Sequence, residues 1–169
     1  MKEQTYREIS EAVRSVPLMK TFLIWFNRIV LGVTYVIYPA LLVMLFLRKN
    51  EGFLPAILIP GISFVLLSMI RHLINAPRPY EVFGIAPVID KKTAGHSFPS
   101  RHIFSIFVIA TTVFYFYPLP GVLLGFVGAA LAFNRVLSGV HFVKDVVAGA
   151  ASGVFCGIVG FWIILPLLS

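Results

Sequence analysis

The sequence predicts an all-α polytopic transmembrane helical bundle, with about five spanning helices and an N-terminal surface helix. Three observations carry this. Of 169 residues, 59% are hydrophobic and only 12% are charged, about half the charged share of a soluble globular chain. So little polar surface cannot cover a water-soluble body, and a mean hydropathy of +0.92 excludes disorder. Apolar stretches recur at lengths that match a bilayer. The single cysteine, Cys156, excludes a disulfide scaffold. The length suits one ordinary domain, so residues 1–20 are read as an amphipathic surface segment and 21–169 as a single transmembrane domain.

The surface segment mixes Lys2, Arg7, Arg14 and Lys20 with Glu3, Glu8 and Glu11, and sets Tyr6, Ile9, Val13 and Val16 at helix-like spacing. It lacks the compact apolar run and cleavage site of a secretory signal peptide, so the chain is expected to stay whole. A spanning helix needs about 20 apolar residues to cross roughly 30 Å of hydrocarbon. Thr21–Leu47 is the longest candidate, with Asn27 and Arg28 near its start and Pro39 inside. Phe53–Ile70 runs without a charge up to Arg71. Ile103–Tyr117 is short and is expected to include the polar residues just before it. Leu119–Phe133 follows the Pro118/Pro120 turn, and Val146–Leu168 carries no charge. Gly149, Gly153 and Gly157, and likewise Gly121 and Gly125, recur every four residues, a spacing that lets helix backbones approach closely in lipid. Cys156 lies mid-membrane and reads as packing.

The net charge is +7 and the pI about 9.9. In a membrane chain that excess points to anionic head groups, topology signals or a phosphate site, and no nucleic-acid partner is expected. Ionisable residues near membrane depth are costly and functional by default. They form three clusters at predicted helix ends: Arg71 to Pro79, then Pro99-Ser100-Arg101-His102, then Asn134-Arg135 with His141 and Asp145. If all five helices span, these ends share one membrane face. The resulting pocket holds Arg71, Arg78, Arg101 and Arg135 with two histidines and one aspartate, a donor set that suits phosphate better than a carboxylate or a metal ion.

His141 and Asp145 are four apart, so on a helix they share a face. The aspartate can then fix the imidazole tautomer and leave the other nitrogen free to attack. Gly139 marks a break that puts His141 in or near the first turn of the last helix. Ser100 and the amides at the start of the third span make an anion site, and His102 can protonate a leaving oxygen. Plain structural readings exist for each residue alone: a hydrogen-bonded pair for His141/Asp145, snorkelling helix ends for Arg71 and Arg135. His72 is expected to point away from Arg71, His96 to sit in a flexible loop, and Lys91 and Lys92 to form a solvated pair.

In order, the chain reads Arg71-x6-Arg78-Pro79, Pro99-Ser100-Arg101-His102 and Asn134-Arg135-x5-His141-x3-Asp145. This resembles the three-part signature of the type 2 phosphatidic acid phosphatase (PAP2) superfamily, K-x6-R-P, P-S-G-H and S-R-x5-H-x3-D, over the stretch from Arg71 to Asp145. Arg71 stands for the lysine, Arg101 for the glycine and Asn134 for the serine. The resemblance implies a metal-independent lipid phosphohydrolase without cofactor, working through a phosphohistidine. His141 would attack phosphorus, Asp145 would orient it and His102 would protonate the leaving group. Arg71, Arg78, Ser100, Arg101 and Arg135 would bind the phosphate. The expected substrate is a phosphorylated membrane lipid; the candidates are polyprenyl pyrophosphate, phosphatidylglycerol phosphate, phosphatidic acid and lipid A phosphate, with a polyprenyl or glycerophospholipid phosphate favoured.

Members of this membrane type usually have six spans, so the chain resembles a shortened bacterial form in the inner membrane. The resemblance implies an extracytoplasmic site, although Lys2, Arg7, Arg14, Lys20, Lys91, Lys92 and Lys144 share that face against Arg48 and Lys49 opposite, a count that alone favours the cytoplasm. Three rivals remain: a phosphotransferase using the same intermediate, a non-catalytic lipid-phosphate binder, and a protein holding zinc through His102, His141 and Asp145.

Overall fold

The structure is a computed structural model, and it describes residues 3–89 and 94–168. Lys91 and Lys92, read above as a solvated pair, lie outside the described residues. Among these described residues, eight α-helices run α1 Glu3–Ser15, α2 Pro17–Leu47, α3 Phe53–Ile74, α4 Pro79–Phe83, α5 Arg101–Phe116, α6 Pro118–Leu137, α7 Val143–Ile158 and α8 Leu165–Leu168, with a π-helical stretch, Val159–Ile164, joining the last two. Among the described residues there is no strand. Four segments of the described residues are long and apolar enough to cross a membrane: Pro17–Leu47, Phe53–Phe83, Pro118–Leu137 and Val143–Leu168. They expose large apolar side chains such as Leu47, Leu73 and Phe126, as expected of an integral membrane protein whose solvent on those faces is lipid. Helix α5, the expected third span, has 16 residues, about 24 Å, and is enclosed by its neighbours; Ile103, Phe104, Ile106 and Val108 on it are fully buried.

The elements differ from the sequence reading mainly at their ends. The break after the surface segment falls at Val16, because Pro17 takes the first helical position of α2. Helix α6 continues through Asn134 and Arg135, which sit in its last turns, and α7 starts three residues earlier than its apolar run. Hydropathy marks where a helix is greasy, whereas the helix itself continues into polar sequence wherever those side chains find partners inside the bundle. Asn134 does so, donating from Nδ2 to the Leu23 carbonyl of α2 at 3.0 Å.

Proline inside α3 is accommodated in a comparable way. Pro60 lacks the N–H that would bond the Ala56 carbonyl four residues back. The Tyr38 hydroxyl of α2 takes its place, donating to that carbonyl at 2.8 Å and fastening α2 to α3.

The glycines of α7 set the geometry of the site. A Cβ on Gly149 would lie 2.6 Å from the Ser100 carbonyl, one on Gly153 2.7 Å from the Phe104 carbonyl, and one on Gly157 2.6 Å from Thr111. Glycine therefore lets α7 lie backbone to backbone along α5, the two running parallel with both N-termini at the same end. Gly121 is equally tight, against the backbone of Phe114 across the α5–α6 turn, but Gly125 faces open space and packs nothing. The expected four-residue glycine pattern thus serves packing throughout α7 and at only one of its two positions in α6.

Candidate active site

The C-terminal end of α3, the short α4, the N-terminus of α5, the end of α6 and the start of α7 meet at one end of the bundle, which unites the three polar clusters. Helix α3 stops at Asn75 in the left-handed region (φ 42°), two residues before a proline that disfavours further helix. Arg78 precedes α4, which opens with Pro79. Its backbone N–H donates to Glu81 Oε2 at 2.8 Å, and both oxygens of Glu81 also accept the Gly95 N–H, at 2.9 and 3.0 Å. Glu81 thereby ties the Arg78 corner to the 95–99 loop.

Two arginines hold that loop by its carbonyls. Arg71 donates through Nη1 to Pro99 and through Nη2 to His96. Arg78 donates from Nε to Gly95 at 3.0 Å and from Nη1 to Val140 at 3.2 Å, and Nη1 also lies 3.5 Å from His141 Nε2. Both guanidinium groups are buried, and each retains N–H donors beyond those spent on the backbone.

Asp145 organises the nucleophile candidate. Its Oδ2 lies 3.4 Å from His141 Nδ1, accepts the Phe142 N–H at 3.0 Å, and accepts the Ser97 hydroxyl. A carboxylate facing Nδ1 selects the Nδ1–H tautomer, so Nε2 keeps its lone pair. His141 belongs to the cavity wall. Burial pushes the His141 imidazole down to about 4, opposed by the hydrogen bond with Asp145 and reinforced by the charges of Arg78 and Arg135. The ring is therefore neutral at ordinary pH. The His141/Asp145 contact does not arise as expected, from one face of a helix. Phe142 is the N-cap of α7, so His141 stands outside the helix, in the turn after Gly139 (φ 70°), and Asp145 reaches back to it from the first helical turn.

Arg71, Arg78, Arg101, His102 and His141 line one cavity of about 340 Å³, together with Ser68, His72 and residues 94–96. His72 corrects the reading that it points away: its ring stacks on His96 at 5.3 Å between centroids and both border the cavity, because the 95–99 loop wraps around the end of α3. Ser100, Arg135 and Asp145 do not line it but are buried beside it. Asp145 accepts the Ser100 N–H through its carbonyl at 2.9 Å, and the charge of Arg135 is felt at His141. Among the described residues, Ser100 Oγ, Arg135 Nε and Asp145 Oδ1 are buried without a hydrogen-bond partner, the sort of orphan that marks functional sites. Arg101 is exposed, its guanidinium 5.6 Å above the Phe64 ring. With His102 it also borders a second, mostly apolar cavity of about 360 Å³ lined by Leu31, Tyr35, Tyr38 and Phe64.

Two residues of this arrangement escaped the sequence reading. Ser97, fully buried, lies within hydrogen-bond distance of both Asp145 and His141 (3.3 Å to Nδ1), and no periodicity distinguishes it from other loop serines. Glu81 was legible in principle, since a carboxylate three residues beyond the residue preceding Pro79 has the spacing of a capping box.

The sequence profile of the PAP2 superfamily matches residues 52–167. The bacitracin transport permease protein BcrC of Bacillus licheniformis is 31% identical over 105 residues, 60% of this chain and 52% of that protein; the chain thus spans about half the length of that relative. Phosphatidylglycerophosphatase B of Bacillus subtilis is 25% identical over 149 residues, covering 76% of this chain and 70% of the relative. Among solved structures, Aquifex aeolicus LpxE superposes with a TM-score of 0.73 at 30% identity, covering 93% of this chain and 92% of that one. The transmembrane PAP2-type phosphatidylglycerolphosphate phosphatase of B. subtilis superposes with a TM-score of 0.61 at 22% identity, over 93% and 90% of the two chains, and shares the fold. With three polar clusters of the right spacing gathered at one end of a membrane bundle, and a profile match over most of its length, the chain belongs to the PAP2 superfamily.

Proposed function

We propose that the protein is a membrane lipid phosphatase that removes a terminal phosphate or pyrophosphate through a phosphohistidine. The observation that carries this is His141 at the cavity wall, its Nε2 3.5 Å from an Arg78 nitrogen and Asp145 behind Nδ1. Nε2 attacks phosphorus, a P–N bond forms as the ester P–O bond breaks, and His102 gives the departing oxygen its proton. Water then attacks the phosphohistidine and gives a proton back to His102 as the P–N bond breaks, releasing inorganic phosphate and restoring both histidines. Arg71, Arg78 and Arg135, with the Ser100 hydroxyl, balance charge on the phosphoryl oxygens, the main requirement of a loose phosphoryl-transfer transition state. Because guanidinium groups supply that charge, the reaction is proposed to need no metal.

The substrate is proposed to be a polyprenyl pyrophosphate or a glycerophospholipid phosphate. The polar cavity adjoins the apolar one at Arg101 and His102, so a head group and its hydrocarbon chain can lie side by side, with Arg101 beside any second charge. The site is proposed to face the extracytoplasmic side of a bacterial inner membrane.

Phosphate release by purified protein from a panel of these lipids, in the presence of a chelator, tests the reading. Wild type is expected to turn over at least one lipid, and His141→Ala to lose the activity by a thousandfold or more, as loss of a nucleophile does. Equal release by the two proteins refutes the nucleophile assignment, and activity lost to chelator alone refutes the metal-free mechanism. Arg101→Ala is expected to weaken pyrophosphate substrates more than monophosphates.

A further inference from the structure

The peptide unit joining His141 to Phe142 is held at both polar ends. Its N–H donates at 3.0 Å to Asp145 Oδ2, the oxygen that also faces His141 Nδ1. Its carbonyl, on the opposite side, accepts the Tyr6 hydroxyl of α1 at 3.0 Å. Tyr6 is 3% exposed. Its ring packs edge to face on Phe142 (centroids 5.5 Å apart, 78°) and lies 5.7 Å from Phe83 of α4, while Phe83 and Phe142 meet edge to face at 5.8 Å. Farther along α1, Arg14 donates to the Ala86 carbonyl and Val13 packs with Leu23 and Val88. The amphipathic helix read from sequence as a surface segment is thus pinned to the loops that carry the site.

The nucleophile candidate needs such support. His141 lies outside α7, after a glycine in the left-handed region, so no helical ladder fixes its backbone. Rotation of the His141–Phe142 plane would swing the imidazole relative to Asp145 and Arg78. One hydrogen bond to the plane leaves it a pivot, whereas two on opposite edges remove that freedom. We propose that Tyr6 is a positioning residue for His141: its hydroxyl locks the peptide plane and so aims Nε2 into the cavity. The assignment rests on His141 being the nucleophile. Tyr6 acts through the backbone and touches no substrate. Burial and the Asp145 carboxylate push its phenol up to about 12, which keeps the hydroxyl a donor at any working pH.

Tyr6→Phe keeps the three-ring contact and removes only the hydroxyl, which donates to the His141 carbonyl and faces the Val143 N–H. Phe83→Leu disturbs the rings and keeps the donor. Wild type, both variants and His141→Ala are compared for kcat and KM on a lipid phosphate that wild type turns over, for melting temperature, and for motion of the 15N-labelled His141 ring by NMR. Tyr6→Phe is expected to lower kcat about fivefold, the worth of one neutral hydrogen bond, with KM and melting temperature close to wild type and added motion of the His141 ring. Phe83→Leu is expected to lower the melting temperature and leave kcat in place. A Tyr6→Phe enzyme with wild-type kcat, or with a His141 ring as rigid as in wild type, overturns the proposal. So does a kcat loss that tracks melting temperature equally in both variants. If His141→Ala turns over as wild type does, the nucleophile reading fails and the positioning role with it; if His141→Ala is inactive and Tyr6→Phe is normal, the positioning role fails alone.

Discussion

Replacing Gly149 with alanine tests whether the close approach of α5 and α7 assembles the site. The added Cβ would meet the Ser100 carbonyl at 2.6 Å, where ordinary contact begins at 3.4 Å. The obstacle is backbone, so the two helices must part by roughly 0.8 Å at the level of Ser100 and Asp145. Overpacking of this size costs about 1–3 kcal/mol, and misplacing a catalytic group by about 1 Å can cost a hundredfold in rate. Gly125→Ala is the control: the same atom is added on a helix, but into open space. The gain in helix propensity is common to both variants, so their stability difference isolates the clash, and Gly149→Ala is expected to lie about 1–3 kcal/mol lower. Its kcat is expected to fall ten- to a hundredfold, as a shift of somewhat less than 1 Å implies, while Gly125→Ala keeps wild-type activity. Gly157→Ala adds a third point. Its clash is with the Thr111 side chain, about 18 Å along α7 from Asp145, so stability falls and turnover of the folded protein does not. Thermal unfolding followed by fluorescence of Trp25 and Trp162, with phosphate release on one lipid substrate, measures both quantities. A Gly149→Ala protein as stable and active as Gly125→Ala would refute the reasoning.

Two further predictions concern the Asp145 centre. Because burial holds the His141 pKa at about 4 rather than 6.5, the folded protein binds fewer protons than the unfolded chain between those values. The stability that neutral His141 contributes is therefore complete above pH 6.5 and is lost as the pH falls toward 4. Melting temperature against pH is expected to show a decline over this window that His141→Asn lacks, and the acid limb of kcat/KM is expected below the ordinary imidazole range; a limb centred near 6.5 would contradict the burial argument. Ser97→Ala removes one donor to Asp145 while leaving the cavity lining intact, and is expected to lower kcat about tenfold, within the range for a hydrogen bond to a charged group, with KM little changed. A proportional rise in KM would instead assign Ser97 to substrate binding.

Much of the bundle was legible because lipid imposes one rule: backbone groups must be satisfied within the helix, so long apolar runs mark helices. Arg71, Arg78, Arg101, His102 and His141 could be grouped in advance for the same reason, since polar residues at helix ends on one face have only each other for company. What hydropathy could not convey was where helices continue under local pairing. Asn134 and Arg135 remain in α6, and His141 falls just outside α7, because of the bond to Leu23 and the N-cap at Phe142. The roles of Ser97 and Tyr6 depend on contacts across 48 and 135 residues of sequence, which no local pattern encodes. Amphipathicity marks one apolar face on residues 1–20, but it could not say that Tyr6 and Val13 on helix Glu3–Ser15 would be buried, with Tyr6 against the loop that carries His141.

The junction at Arg101 and His102 has a consequence for the end of each turnover. Arginines crowd one side of it, and hydrocarbon-compatible side chains such as Leu31 and Phe64 form the other. In the proposed reaction, cleavage splits an amphiphile into an ion that prefers water and a dephosphorylated chain that prefers oil. The two fragments would then depart by different exits into different phases, their recombination would be a rare encounter, and partitioning itself would make the proposed reaction run one way.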